Sequence, residues 1–291
     1  MAGNEVAALR ALTNGDVTGA RTALDGGVTR PLLNAALRTH LAATGNDTAA
    51  TDTAADGHVY DQPAAFTAFI RGGGNVGLYE AVSSALAEQY DRHDVASLVD
   101  IGCGDGRAVV PAAEGRDVAV TLVEPSRALL DDAVARLAGA TAHNTDAASF
   151  VSAMAGRFDL AESTFALHTL PPDERSRVLT ALRGHVSRLA IAEFDVPDHP
   201  VGSTAHLTFL ADTYEQGLAE YGTDRDLVAQ GFLMPVLTGQ LTPGATRNTW
   251  EQPATAWAAQ LTACGYTEVM IEPLYDYWSS PAFLLTAKGD A

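Results

Sequence analysis

The run Leu98-Val99-Asp100-Ile101-Gly102-Cys103-Gly104-Asp105-Gly106-Arg107 sets an apolar segment against three glycines at alternate positions. Such a run describes a strand that feeds a tight, ligand-facing turn. Glycine lets the backbone reverse sharply and approach a ligand with no Cβ in the way, and a helix that follows offers free N–H groups and its positive dipole end. The pattern predicts an α/β chain that binds a nucleotide-like cofactor.

About twenty residues on, Val118-Ala119-Val120-Thr121-Leu122-Val123 forms a second apolar run and ends in Glu124. Rossmann-like domains place there the carboxylate that accepts ribose hydroxyls. The glycine spacing departs from the dinucleotide fingerprint, because Gly106 follows Gly104 by two residues where a pyrophosphate loop wants three. NAD is therefore disfavoured, and a nicotinamide-dependent oxidoreductase stands only as an alternative. The chain has no GxSxG elbow, no HExxH, no paired CxxC and no GxxxxGK[ST] loop.

Residues 99–106, with Glu124-Pro125-Ser126 after the second strand, resemble the first two motifs of the class I S-adenosylmethionine-dependent methyltransferases, in their small-molecule, natural-product tailoring branch. The likeness continues at Asp146-Ala147, where the third strand of that family presents an acidic residue to the adenine amine. It continues again at 158–171, which matches the fourth strand and its "LHHLP" turn with Thr169 in place of the second histidine. Ser187-Arg188-Leu189-Ala190-Ile191-Ala192-Glu193-Phe194-Asp195 follows as strand five, and 267–273 with 282–288 as a closing hairpin. The resemblance spans roughly 65–288. It implies a Rossmann-like seven-stranded sheet with the last strand antiparallel, S-adenosylmethionine as methyl donor and S-adenosylhomocysteine as product. Asp100, Gly102, Cys103, Gly104, Glu124, Pro125, Asp146, Ala147 and Glu162 would then lie on the cofactor. A catechol-type metal pattern is missing, since the matching turns carry Glu162, Ser163 and Glu193-Phe194-Asp195, and no metal is expected.

Organisation along the chain adds two helical parts to this domain. Residues 1–62 read as an N-terminal helical cap and linker, with apolar faces at Val6, Leu9, Leu12 and at Leu32, Leu33, Ala36, Leu37; 44–61 is rich in Thr, Ala, Asp and Gly and reads as a hinge. Residues 63–291 form the methyltransferase domain, with 197–249 as a helical insertion expected to roof the acceptor pocket. Helices over 63–70 and 76–90 flank Arg71-Gly72-Gly73-Gly74-Asn75, a break whose N–H groups, with Arg71 and Asn75, are candidates for the cofactor's carboxylate.

The formal net charge is −18 and Lys288 is the only lysine, which disfavours nucleic acid and anionic membranes as partners. No apolar run reaches the roughly 18 residues of a spanning helix, and the start lacks a signal pattern, so the chain reads as soluble and cytoplasmic, a monomer or homodimer. Cys103 and Cys264 have no motif partner and read as small packing residues.

Methyl transfer from a sulfonium needs alignment and exclusion of water more than side-chain chemistry. A base is needed where the acceptor must lose a proton, and histidine titrates in the right range. His168 is the foremost candidate, because the carboxyl end of a strand in an open α/β sheet faces the ligand crevice. Glu193 and Tyr275 join it as catalytic candidates, and His168, Glu193, His206, Phe209, Tyr214, Tyr275 and Tyr277 are acceptor contacts suited to a flat, indole- or phenol-like ring methylated at O, N or C. The remaining histidines, His40, His58, His93, His143, His185 and His199, read as solvated loop or helix-end residues. Strand alternation is expected to send Tyr275 and Tyr277 to one face, Asp276 and Trp278 to the other. The competing readings are a methyltransferase fold kept as a non-catalytic binding subunit and an enzyme acting on a protein substrate.

Overall fold

The computed structural model describes residues 3–44, 62–245 and 247–291. The chain divides into two compact units, Gly77–Pro197 with Asn248–Ala291, and Met1–Val76 with Asp198–Arg247. Of the stretch expected as a hinge, residues 45–61, including His58, lie outside the described residues.

The first unit is built on seven strands, β1 (Ser97–Ile101), β2 (Ala119–Val123), β3 (Thr141–His143), β4 (Phe158–Thr164), β5 (Val186–Phe194), β6 (Thr267–Tyr275) and β7 (Ala282–Lys288). Their order is β3-β2-β1-β4-β5-β7-β6. β1 to β5 are parallel, and β7 runs antiparallel to both β5 and β6. The chain leaves β1 toward β2 on one side and returns to β4 on the other. This is the strand-order reversal at which open α/β sheets bind ligands.

The strands are apolar on both faces because helices cover both, and alternation sorts the side chains. Leu98, Leu122, Leu160, Ala190 and Leu284 pack with Leu78, Val82, Leu86 and Tyr90 of the helix Asn75–Arg92. Val99, Ile101, Ala161, Ile191 and Leu285 face the other way, onto Val178, Leu179 and Leu182 of Pro172–Arg183 and Trp257 and Leu261 of Ala254–Ala263.

β6 ends at Tyr275, and Tyr277 N donates to Tyr275 O at 3.1 Å, a tight turn. The expected alternation therefore stops at Tyr275. Tyr277 is buried, and Trp278 tilts against it with ring centroids 5.4 Å apart.

The second unit is helical and joins two segments that the sequence kept apart, the N-terminal helices and the stretch after β5. Glu215 of Thr204–Ala219 accepts the N–H groups of Leu32 and Leu33, so it caps the start of Pro31–Thr44 from another helix. Buried Glu5 accepts from Thr29 Oγ1 at 2.5 Å and from Asn34 Nδ2 at 3.1 Å. Phe69 of Pro63–Arg71 stacks on Phe232 at 4.2 Å. His40 is half-buried and pairs with Thr238 Oγ1 at 3.2 Å rather than being a solvated residue.

Among the described residues, Arg175 is the one fully buried arginine. Its guanidinium lies 4.0 Å from the centre of the Trp257 ring, Nε donates to Gln260 Oε1 at 2.9 Å, and Nη1 donates to Trp250 O at 3.0 Å and Leu167 O at 3.4 Å. It ties the turn after β4 to the segment before Ala254–Ala263. Arg175→Met keeps the apolar stem and leaves both carbonyls without this donor. It should cost about 2 kcal/mol, the usual scale for buried acceptors left unpaired, seen as a lower urea midpoint at unchanged slope; an unmoved midpoint would remove the bracing role.

Candidate active site

The glycine turn is pinned from below. Gly102 N and Cys103 N both donate to Val123 O, at 2.8 and 3.2 Å, so the turn is held to the end of β2. Gly102, Gly104 and Gly106 all have positive φ, at 77°, 56° and 77°. A Cβ on Gly102 would sit 2.5 Å from Ala166 Cβ, and one on Gly106 would sit 2.8 Å from Val110 Cγ2. A Cβ on Gly104 would meet nothing within 4 Å, so this backbone faces open space where a ligand can approach it. The helix after the turn, Val109–Ala113, has only 5 residues. The strong dipole end expected there is not built, and the exposed turn backbone is the feature that remains.

Glu124 folds over this turn. Its carboxylate accepts Gly104 N at 3.1 Å and Ser126 N at 2.8 Å, and its own carbonyl takes Asn144 Nδ2 at 2.9 Å. A carboxylate oxygen has further lone pairs, so these bonds leave capacity for ribose hydroxyls. Pro125 follows, exposed. Asp146 caps the helix Ala147–Ala153, taking Ser149 N at 2.8 Å and Ser149 Oγ at 2.7 Å. Those bonds hold its carboxyl below the usual range.

Beneath the turn lies a buried acidic group. Asp100 of β1 stands opposite Glu162 of β4 in the parallel register, and each is only 1% exposed. Tyr90 Oη donates to Glu162 Oε2 at 2.6 Å. Asp100 Oδ1 and Glu162 Oε1 are buried with no hydrogen-bond partner among the described residues. Burial first, and then the Glu124 charge, pushes the Asp100 carboxyl up to about 8. Burial and then Asp100 push Glu162 well above the carboxylate range, against the opposing bond from Tyr90. Burial raises the Cys103 thiol, with Asp100 and Glu124 adding to it, so it is no thiolate nucleophile.

A second cluster forms across β4 and β5. His168 Nδ1 and Glu193 Oε2 are 2.8 Å apart, and the other oxygen of Glu193 accepts His168 N at 3.1 Å. Trp250 N donates to His168 O at 2.6 Å. Both residues are anchored because β4 and β5 pair in register through Thr164 and Ala192, one residue short of Phe165 and Glu193. Burial works against a charged imidazole, but the Glu193 charge and hydrogen bond outweigh it, and the pKa of His168 rises above its ordinary value. A carboxylate on Nδ1 fixes the tautomer and leaves Nε2 as the basic nitrogen.

Aromatic rings line the same end of the sheet. Phe165 stacks on Phe194 at 4.5 Å, Phe194 on Tyr277 at 5.2 Å, and Tyr79 meets Phe165 edge-on at 6.0 Å. Phe165 holds φ +50°, a left-handed conformation that costs a non-glycine residue about 1 kcal/mol or more. The Tyr275 phenol lies against the backbone of Gly77, where a Cβ would come within 2.6 Å of its Oη.

Arg71, Asn75, His206, Phe209 and Tyr214 belong to the helical unit. Arg71 is exposed; Asn75 is buried and donates to Phe69 O at 2.9 Å and Tyr221 Oη at 3.2 Å. In the glycine break, Gly74 N donates to Glu220 Oε2 at 2.6 Å. His206 Nδ1 accepts Gly202 N at 3.2 Å, with its pKa lowered by burial and then by His199. Phe209 meets His199 edge-on at 6.0 Å, and Tyr214 is buried. Tyr90, Phe165, Phe194 and Arg175 were not singled out from the sequence. Phe165 and Phe194 directly follow or end their strands at the ligand edge, which was a usable signal.

Residues 98–188 match the model of the methyltransferase domain family. No curated protein gives a significant match to the sequence. Among solved structures, a mitomycin 7-O-methyltransferase is 18% identical, with 95% of this chain and 72% of that chain covered at a TM-score of 0.52. The magnesium protoporphyrin IX methyltransferase of Synechocystis PCC 6803, solved with S-adenosylmethionine bound, is 16% identical, with 83% and 99% covered at 0.51. The chain spans little more than half of some others, 57% of an O-methyltransferase family protein from Burkholderia thailandensis and 55% of a protein from Nostoc punctiforme PCC 73102. At these identities the likeness is one of fold. Sheet order, antiparallel last strand and family match agree: residues 98–188 are similar to the methyltransferase domain family, and the sheet has the class I methyltransferase fold.

Gly104→Ala and Gly102→Ala separate the turn's two duties. Both should weaken S-adenosylhomocysteine binding at least tenfold, but Gly104→Ala should cost only about 1 kcal/mol of stability, the left-handed strain alone. Gly102→Ala adds a clash with Ala166 and should cost about 3 kcal/mol. Calorimetric titration and thermal melts check both; wild-type affinity in Gly104→Ala would show that no ligand approaches that backbone.

Proposed function

We propose that this chain transfers a methyl group from S-adenosylmethionine to the hydroxyl of a small aromatic acceptor. The observation that carries the reading is the clamp of Glu193 on His168, which accepts both its ring Nδ1–H and its backbone N–H. A fixed, partly buried imidazole with a free Nε2 is suited to remove a proton from an acceptor whose O–H must ionise. The aromatic stack of Phe165, Phe194 and Tyr277 supports a flat acceptor.

The residues present fit the donor. Its ammonium and sulfonium carry positive charge, and Asp100, Glu124 and Glu162 enter no ion pair among the described residues. The open face of Gly104 supplies a backbone approach, Glu124 the ribose contact, and Asp146-Ala147 the adenine edge. When bound, the donor supplies a methyl group already activated by sulfonium charge. The chain's own work is to hold the acceptor against the aromatic rings, exclude water and receive the acceptor proton at His168 Nε2. Glu193 stabilises the imidazolium that results. The O-methyl chemistry named for the mitomycin enzyme accords with this choice of acceptor atom.

With phenolic acceptors, His168→Ala should lose 10²–10⁴ in kcat, the usual range for a positioned base, with donor affinity intact. In the wild type, kcat/KM should rise with pH through the elevated pKa of His168, because the neutral imidazole is the active form. Glu193→Gln removes the charge that raises that pKa while burial remains. Its acidic limb should shift to lower pH as its plateau falls. Wild-type turnover in His168→Ala would remove the base from the mechanism.

A further inference from the structure

The buried acids under the glycine turn carry more than a binding contact. Asp100 and Glu162 occupy opposed positions on adjacent parallel strands, whose separation is about 4.8 Å. Both point to the sheet face packed by Tyr90, as Leu98 and Leu160 do two residues earlier. Each is 1% exposed, and each keeps one oxygen without a donor among the described residues. The groups that face them are Glu124 just after β2, Tyr90 from Asn75–Arg92 and the thiol of Cys103, all neutral or anionic. Arg116 acts on Tyr90 only weakly and is bound to Asp91, at 2.8 and 2.7 Å. Among the described residues, no three His, Cys, Asp or Glu side chains converge to hold a metal ion.

Two carboxylates this close and this dry cannot both ionise without a cation. Their unpartnered oxygens are acceptors, so the cation must be one that donates hydrogen bonds. A sulfonium has no proton to offer, whereas an ammonium has three. We infer that Asp100 and Glu162 share one proton and release it to solvent when the ammonium of the donor's amino-acid end docks against them, which makes cofactor binding proton-coupled. This rests on the methyltransferase reading above. The exchange is balanced: one carboxyl O–H bond breaks, the proton leaves to water, and the ammonium keeps all of its own protons and supplies the compensating charge. Binding should then strengthen as pH rises into the pair's raised titration range, as long as the ligand's amine stays protonated, since the unbound pair holds the proton that the complex has lost.

The test is calorimetric titration of the whole chain with S-adenosylhomocysteine near pH 7, in two buffers of different ionisation enthalpy. Wild type should release about one proton per site. 5′-Methylthioadenosine, which lacks the amino-acid end, should bind with no proton release. The double variant Asp100→Asn with Glu162→Gln, nearly isosteric and with neither acid left to hold the proton, should release less than about 0.3 proton. Tyr90→Phe removes the bond that favours ionised Glu162, so its proton release should persist to higher pH than in wild type. Tight binding without proton release would overturn the inference and leave the methyltransferase reading standing. So would unchanged release in the double variant or equal release with methylthioadenosine. Failure of every adenosyl ligand to bind would overturn both.

Discussion

The site depends on the attachment of the glycine turn to the end of β2. Gly102 N and Cys103 N share one acceptor, Val123 O, and that sharing forces the chain to reverse at Gly102 with φ +77°. No other side chain fits there, because Ala166 of the turn after β4 occupies the place of a Cβ. One reversal thus brings three strand ends into contact. It lays Glu124 over the turn, leaves Asp100 under it and seats the segment that carries Phe165 and His168 against it.

Alternation along the strands then divides the chemistry. Asp100 and Glu162 follow Leu98 and Leu160 onto the face covered by Asn75–Arg92. Glu193 follows Leu189 and Ile191 toward the face covered by Pro172–Arg183 and Ala254–Ala263, where Arg175 and Trp250 brace the turn that bears His168. The charge imbalance beneath the glycine turn and the balanced pair at His168 are therefore separate electrostatic environments. They meet only along the carboxyl edge of the sheet. On the proposed reading, a methyl donor and an acceptor that must lose a proton are served there without either set of groups neutralising the other.

What could be read from the residues follows from how local each signal is. The strands, the glycine turn and Glu124 were legible, because period-two burial and positive φ leave marks on adjacent residues. The Asp146 cap was also local, an acid three residues before Ser149, yet family resemblance drew attention to adenine instead. Tyr90 sits at helical spacing from Leu86 and looked like core, which it is; that its hydroxyl meets Glu162, 72 residues away, needs the packed structure. The bond between His168 and Glu193 likewise depends on β4 and β5 being neighbours. The union of the N-terminal helices with residues 198–247 was illegible for another reason. Apolar helix faces match many partners, and the selective contacts, Glu215 on the start of Pro31–Thr44 and Arg30 on Asp212, are polar and distant in sequence.

Burying Glu162 at all needs a physical reason. An apolar residue there would pack against Leu160 and Tyr90 without desolvation cost, and would spare Asp100 a neighbour that disfavours its ionisation. A buried acid that served only stability would have a cationic or fully hydrogen-bonded partner. Glu5 in the helical unit meets that standard, with Thr29 and Asn34 around it and a pKa that ends below the ordinary value despite its burial. Glu162 does not, since one of its oxygens has no donor among the described residues and the charge that bears on it is that of another acid, Asp100. The contrast lies within a single chain. It separates an acid whose partners are all in place from one whose partner has to arrive.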